Sequence, residues 1–145
     1  FHFGIMSSVM HMAWVRAVCG RLESRYRYSA GIVYNNFPWP DAPDNKTLQA
    51  IETTAQAVLD ARAAFPGATL ADLYDPLTMP PALLKAHQKL DAAVDRAYGK
   101  SGFKSDAERV AFLCERYQAL TPLLPAEKKP ARRALKTARR NTPAE

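Results

Sequence analysis

The chain has 145 residues, 48% of them hydrophobic and 23% charged. That composition allows one ordinary globular domain, or a small domain with an appendage, and argues against a disordered polymer or a multidomain enzyme. The net charge of +6 suggests a polyanionic partner, but it is unevenly placed: residues 1–40 carry +3, residues 41–125 carry −2 and residues 126–145 carry +5. No apolar run reaches the roughly 18 residues of a membrane span, and no secretory signal pattern is present, so the sequence reads as cytoplasmic with no membrane partner. Cys19 and Cys114 lie far apart among apolar neighbours at helical spacing, which predicts buried free thiols rather than a disulfide or metal ligands. The sequence opens on Phe1-His2-Phe3 with no initiator Met, and we expect a piece of a longer polypeptide.

In chain order, Ser7 or Ser8 can cap a helix that carries Val9, Met10, Met12, Ala13, Val15 and Ala17 as far as Gly20, which suits a left-handed C-terminal cap. The helix is apolar nearly all round and should be buried. Residues 21–30 mix charged, aromatic and small side chains and predict an extended loop, and the β-branched run over residues 31–34 predicts a strand. Three prolines between Pro38 and Pro43 forbid helix and mark a semi-rigid connector, the expected domain boundary. Beyond it, Asp44 or Asn45 can cap a helix carrying Leu48, Ile51, Ala55, Val58, Leu59, Arg62 and Ala63, closing near Pro66-Gly67.

A short helical turn is expected around residues 70–74, and Pro80-Pro81 suits the first turn of a helix through Leu83, Leu84, His87, Leu90, Val94 and Tyr98 to Gly99. Ser105-Asp106-Ala107-Glu108 has the form of a capping box, starting a helix with Val110, Phe112, Leu113, Arg116, Tyr117 and Leu120. The predicted fold class is therefore mainly α: a small bundle of about three main helices, preceded by a helix-loop-strand segment. The residues from 126 onward, basic and poor in large apolar side chains, should be a disordered tail.

Catalytic constellations are missing. There is no glycine-rich phosphate or dinucleotide loop, no Cys or His pair at metal-ligand spacing, and no Gly-x-Ser-x-Gly elbow, so no catalytic and no metal-binding residues are assigned. His11 reads as a hydrogen-bonded core histidine. Asp91 and Asp95, one turn apart and flanked by Lys89 and Arg96, read as a solvated helix face.

The run Arg21-Leu22-Glu23-Ser24-Arg25-Tyr26-Arg27-Tyr28 is different, because it gathers arginines and tyrosines outside any amphipathic helix. An arginine fork matches O6 and N7 of guanine, and a glutamate accepts from the N4 amino group of cytosine. In an extended segment Glu23 and Arg25 would point to the same side and together could read one C·G pair. The competing reading is a surface ion pair worth under about 1 kcal/mol.

Longer stretches carry a resemblance. Phe3 to Arg16, then Gly20-Arg21-Leu22-Glu23-Ser24 and Tyr28-Ser29, then Tyr34-Asn35-Asn36-Phe37-Pro38-Trp39-Pro40, resemble the end of the target-recognition domain of MmeI-like enzymes. Thr69-Leu70-Ala71-Asp72-Leu73-Tyr74-Asp75-Pro76, Met79-Pro80, Leu90-Asp91, Val94-Asp95 and Tyr98-Gly99 resemble the helical C-terminal domain that follows in that family. Those enzymes are large bacterial polypeptides that combine an adenine-N6 DNA methyltransferase with, in many members, a restriction endonuclease.

The resemblance implies that residues 1–40 end a target-recognition domain, residues 41–125 form the helical C-terminal domain and residues 126–145 are an additional basic tail. It also implies that double-stranded DNA and the methyltransferase domain of the same polypeptide are the partners. The family's S-adenosylmethionine loop and its Asn-Pro-Pro-Tyr motif belong upstream, so the cofactor is expected in the parent enzyme and none in this chain. In the family a residue pair two positions apart after the Gly-Arg-Leu run tracks one base of the recognition sequence, and here that pair is Glu23 and Arg25. Arg16, Arg21, Arg27, Tyr26 and Tyr28 are the expected backbone or nearby DNA contacts, with Arg16 also able to serve a structural pair. The alternative is a helical protein-interaction module that docks on other domains without touching DNA.

Overall fold

A computed structural model describes residues 1–121; the expected tail over residues 126–145 lies outside the described residues. The described chain is mostly helical. Helix α1 (His2–Met6) and helix α2 (Val9–Val18) lead into a two-stranded antiparallel ribbon, β1 (Gly20–Leu22) and β2 (Arg25–Arg27), followed by a π-helical turn (Ala30–Tyr34). Helices α3 (Asn45–Ala63), the single-turn α4 (Leu70–Leu73), α5 (Pro81–Ala97) and α6 (Asp106–Leu120) complete it.

The helix ends follow local chemistry. The side chains of Ser8, Asp44, Thr69 and Ser105 each accept from a backbone N–H three residues on, satisfying a donor that the first helical turn leaves free. Pro81 starts α5 where a missing N–H costs nothing, and Gly99 follows it with φ of 71°. The capping box expected at Ser105 is only half formed. Glu108 does not reach back to the Ser105 N–H but accepts from the Lys104 N–H at 2.8 Å and from Lys100 Nζ at 2.9 Å. The reciprocal box forms instead at Thr69 and Asp72.

A single apolar core joins the N-terminal helices to the bundle: Ile5, Met10, Trp14 and Val33 pack with Ile51, Val58, Leu83, Leu90, Val94 and Leu113. Helix α1 approaches α3 so closely that a Cβ on Gly4 would lie 2.7 Å from Ile51 Cγ2, a contact only glycine tolerates. The proline segment is packed down: Phe37, Pro38 and Pro40 are buried, Tyr98 donates to the Pro38 carbonyl and Arg116 to the Trp39 carbonyl, both at 3.1 Å.

Several expectations are corrected. Helix α2 ends at Val18 with Cys19 extended, and Gly20 opens a strand rather than making a left-handed cap. Residues 31–34 form no strand. The ribbon lies earlier, over residues 20–27, and the β-branched run closes into a π turn because no partner strand is available to its carbonyls. Those carbonyls are taken instead by Trp14 Nε1 at Val33 and by the Asn36 amide at Gly31 and Ile32. Cys19 is half-buried and Cys114 exposed, so neither is the core thiol expected.

Asp91 and Asp95 are not a solvated face. Asp91 accepts from the Val9 N–H at 2.8 Å, and buried Asp95 pairs with Arg109 at 2.9 Å. Burial raises the Asp91 carboxyl above its ordinary value, partly offset by that N–H. The sequence-based reading missed the pair because its basic partner sits one helix away on α6.

Candidate nucleic-acid interface

The ribbon is the most exposed ordered element outside the helices. Its register pairs Gly20 with Arg27, Arg21 with Tyr26 and Leu22 with Arg25. Directly opposed residues share a face of the ladder, so Arg21 and Tyr26 lie on one side while Arg25 and Arg27 lie on the other. The Arg21 guanidinium sits 4.6 Å above the centre of the Tyr26 ring, a cation–π contact that pre-orients it.

Glu23 and Ser24 form the two-residue turn at the tip. Of the two, only Glu23 has positive φ, at 58°, in the region that normally favours glycine at the first corner of such a turn. Holding a glutamate there costs about 1–2 kcal/mol. The turn returns the chain so that Arg25 Nη2 donates to Glu23 Oε2 at 3.0 Å, with both side chains about three-quarters exposed. The two residues do meet, as the sequence suggests, but through the turn rather than through strand alternation.

Beside the ribbon lies a cleft of about 580 Å³ lined by Arg21, Arg27, Tyr28, Ser29 and Ile32. Arg21, Arg25, Arg27, Tyr26 and Tyr28 are thus gathered on one ribbon and its exit. Arg16 is not among them. It projects from α2 and pairs with Asp106 at the start of α6, a structural role that ties the N-terminal helix to the bundle.

Tyr28 leaves the ribbon toward the body, where its hydroxyl is hydrogen-bonded to His11 Nε2 at 3.1 Å. His11 is 2% exposed and stacks edge-on against Phe37. Burial pushes its imidazole down to about 4, so the ring is neutral at physiological pH. His87, half-buried, is bonded to the Tyr74 hydroxyl at 2.6 Å, and Arg62 donates to the same oxygen. These bonds pin α4 between α3 and α5. Among the described residues no group of His, Cys, Asp and Glu is arranged to hold a metal ion, and no helix is long and apolar enough to cross a membrane.

Residues 1–41 match the family model "MmeI, target recognition domain" and residues 42–125 match "MmeI, C-terminal domain". The chain belongs to the MmeI family. DNA methyltransferase A of Bacillus subtilis (strain 168) is 49% identical over 118 residues, which cover 81% of this chain and 13% of that protein. A solved structure of the Type IIL restriction-modification enzyme MmeI in complex with DNA superposes with a TM-score of 0.80 and 57% sequence identity, covering 84% of this chain and 16% of that one. The chain therefore spans less than a fifth of the length of either relative. In MmeI-family terms, the ribbon with Arg21 to Arg27 falls in the target-recognition part and helices α3 to α6 in the C-terminal part. One core runs through both.

Proposed function

We propose that this chain is the DNA-recognition and clamping end of a bacterial site-specific adenine-N6 DNA methyltransferase of a restriction-modification system. The observation that carries the reading is the exposed ribbon, with Glu23 and Arg25 at its tip and Arg21 and Arg27 along its strands. A two-stranded ribbon is narrow enough to enter the major groove. There Glu23 accepts from the cytosine N4 amino group and Arg25 donates to guanine O6 and N7 of one C·G pair. Their mutual ion pair is solvated and worth under about 1 kcal/mol, so exchanging it for a base pair is cheap. Arg21, Arg27, Tyr26 and Tyr28 meet the sugar-phosphate backbone nearby and fix register, while the helical body clamps the duplex and docks on the methyltransferase domain.

Methyl transfer lies elsewhere in the same polypeptide, in the cytoplasm, with S-adenosylmethionine as donor. This chain's residues do not fit that cofactor. In the roughly 670 Å³ cleft between α5 and α6 both carboxylates are already engaged, Asp91 by the Val9 N–H and Asp95 by Arg109.

The test is duplex binding by the intact polypeptide as a function of salt, beside a variant with Arg21→Ala and Arg27→Ala. Each lost phosphate contact should lower the slope of log affinity against log salt by about 0.9. An unchanged slope would remove the ribbon from the interface and favour a helical module that docks only on protein.

A further inference from the structure

A ribbon of three residue pairs does not hold its own shape in water, since an isolated hairpin is at best marginally stable. Every residue from Gly20 to Tyr28 is exposed, so no apolar packing of its strands aims it either. On the entry side it is continuous with α2, whose last turn is closed by the Cys19 N–H donating to the Val15 carbonyl at 3.0 Å. On the exit side, one side-chain hydrogen bond among the described residues joins it to the body, that between Tyr28 and His11. His11 is itself fixed: its backbone N–H donates to Ser8 Oγ, and its ring is wedged against Phe37 in the core.

We propose that His11 is a positioning residue for base reading: from inside the core it holds the Tyr28 hydroxyl and thereby sets the aim of the ribbon tip that carries Glu23 and Arg25. This rests on the reading of the ribbon as the base-contacting element. His11 does not touch DNA, because it is buried beneath Tyr28. Its Nδ1 is buried with no hydrogen-bond partner among the described residues, which costs stability. A leucine or methionine would fill the same space without a buried unpaired nitrogen. With the Tyr28 bond the imidazole has a use at its other nitrogen. Loss of that bond leaves the arginines and the glutamate in place but lets the tip wander, so wrong base pairs are discriminated against less strongly.

The experiment is methylation by the intact enzyme of sites carrying the favoured base pair at the Glu23/Arg25 position and of sites differing only there. The variants are His11→Leu, His11→Gln, Tyr28→Phe and the double variant His11→Leu with Tyr28→Phe. Removing one hydrogen bond should lower the selectivity ratio roughly fivefold in His11→Leu and in Tyr28→Phe. The double variant should lose no more than either single one, and His11→Gln, whose amide reaches a similar position, should restore most of the ratio. Backbone amides of residues 25–27 should exchange hydrogen faster in His11→Leu while those of α5 do not. Unchanged selectivity in Tyr28→Phe, or effects of the two single variants that multiply in the double, would overturn the proposal. Tyr28→Phe removes a single hydroxyl from a residue that is itself partly exposed, and it tests the idea even if a buried substitution at His11 prevents folding. Should Glu23→Lys with Arg25→Asp leave base choice unaltered, the reading of the ribbon itself fails. A failure confined to the His11 and Tyr28 variants refutes only the anchoring.

Discussion

In the helical body, Ile5, Met10, Ile51, Leu83, Leu90 and Leu113 are fully enclosed, whereas the ribbon a few residues beyond α2 exposes every side chain from Gly20 to Tyr28. The body is held by volume: its side chains fill one another's gaps, and any that shrinks leaves a cavity. The ribbon is held by its ends and by Tyr28. Its arginines and glutamate pack against nothing whose loss would unfold the chain. The contrast means that the tip can change sequence at almost no cost to stability, as the proposed base-reading role requires, while the body that positions it cannot.

Substitutions can break this contrast in order of expected size. Trp14→Ala empties the centre of the core and removes the donor to the Val33 carbonyl. It should cost about 3–5 kcal/mol in denaturant unfolding, while alanine at Arg21 or Arg25 should leave unfolding within about 0.5 kcal/mol of the parent. Gly4→Ala drives a methyl into Ile51 and should cost about 1–3 kcal/mol; no change would mean that α1 is not seated on α3.

The pH dependence sharpens the comparison, because it isolates the residue beneath the ribbon's exit. The His11 imidazole titrates near 6.5 when unfolded and at about 4 when folded. Between those values the unfolded chain holds more protons, so stability is complete above about 6.5 and falls as pH drops toward 4. Burial and Arg62 shift His87 in the same direction. Unfolding free energies measured against pH should therefore show a shallower acid slope in His11→Gln, not a flat one. The smallest effect is expected at the tip. Glu23→Gly relieves a left-handed glutamate and should leave stability unchanged or raise it by up to about 1 kcal/mol, while weakening the choice of base.

Much of the body was legible in the sequence because its signals are local. Asp44 and Ser8 sit directly before apolar residues at helical spacing, Pro81 opens a helix and Gly99 ends one, and each acts as its chemistry predicts. What escaped depends on partners distant in sequence or on unusual turns. The ribbon turns on Glu23-Ser24, which lacks the glycine or asparagine that normally signals a hairpin. Residues 31–34 have strand composition, but Trp14 and Asn36 supply the hydrogen bonds that make them a π turn. Asp95 finds Arg109 across a helix pair. The residue types of the candidate interface are visible in the sequence as an arginine and tyrosine cluster, but its shape, and the link from Tyr28 to buried His11, require the fold.

The central claim is that the exposed tip reads a base pair through Glu23 and Arg25 while the body stays indifferent to what they are. The most direct measurement maps N6-methyladenine in DNA exposed to the intact enzyme carrying Glu23→Lys together with Arg25→Asp. Lysine in place of the glutamate meets guanine acceptors and aspartate in place of the arginine meets the cytosine amino group. The account predicts that one position of the methylated site changes from C to G with the unfolding midpoint unmoved. An active enzyme that still methylates the original site would contradict it.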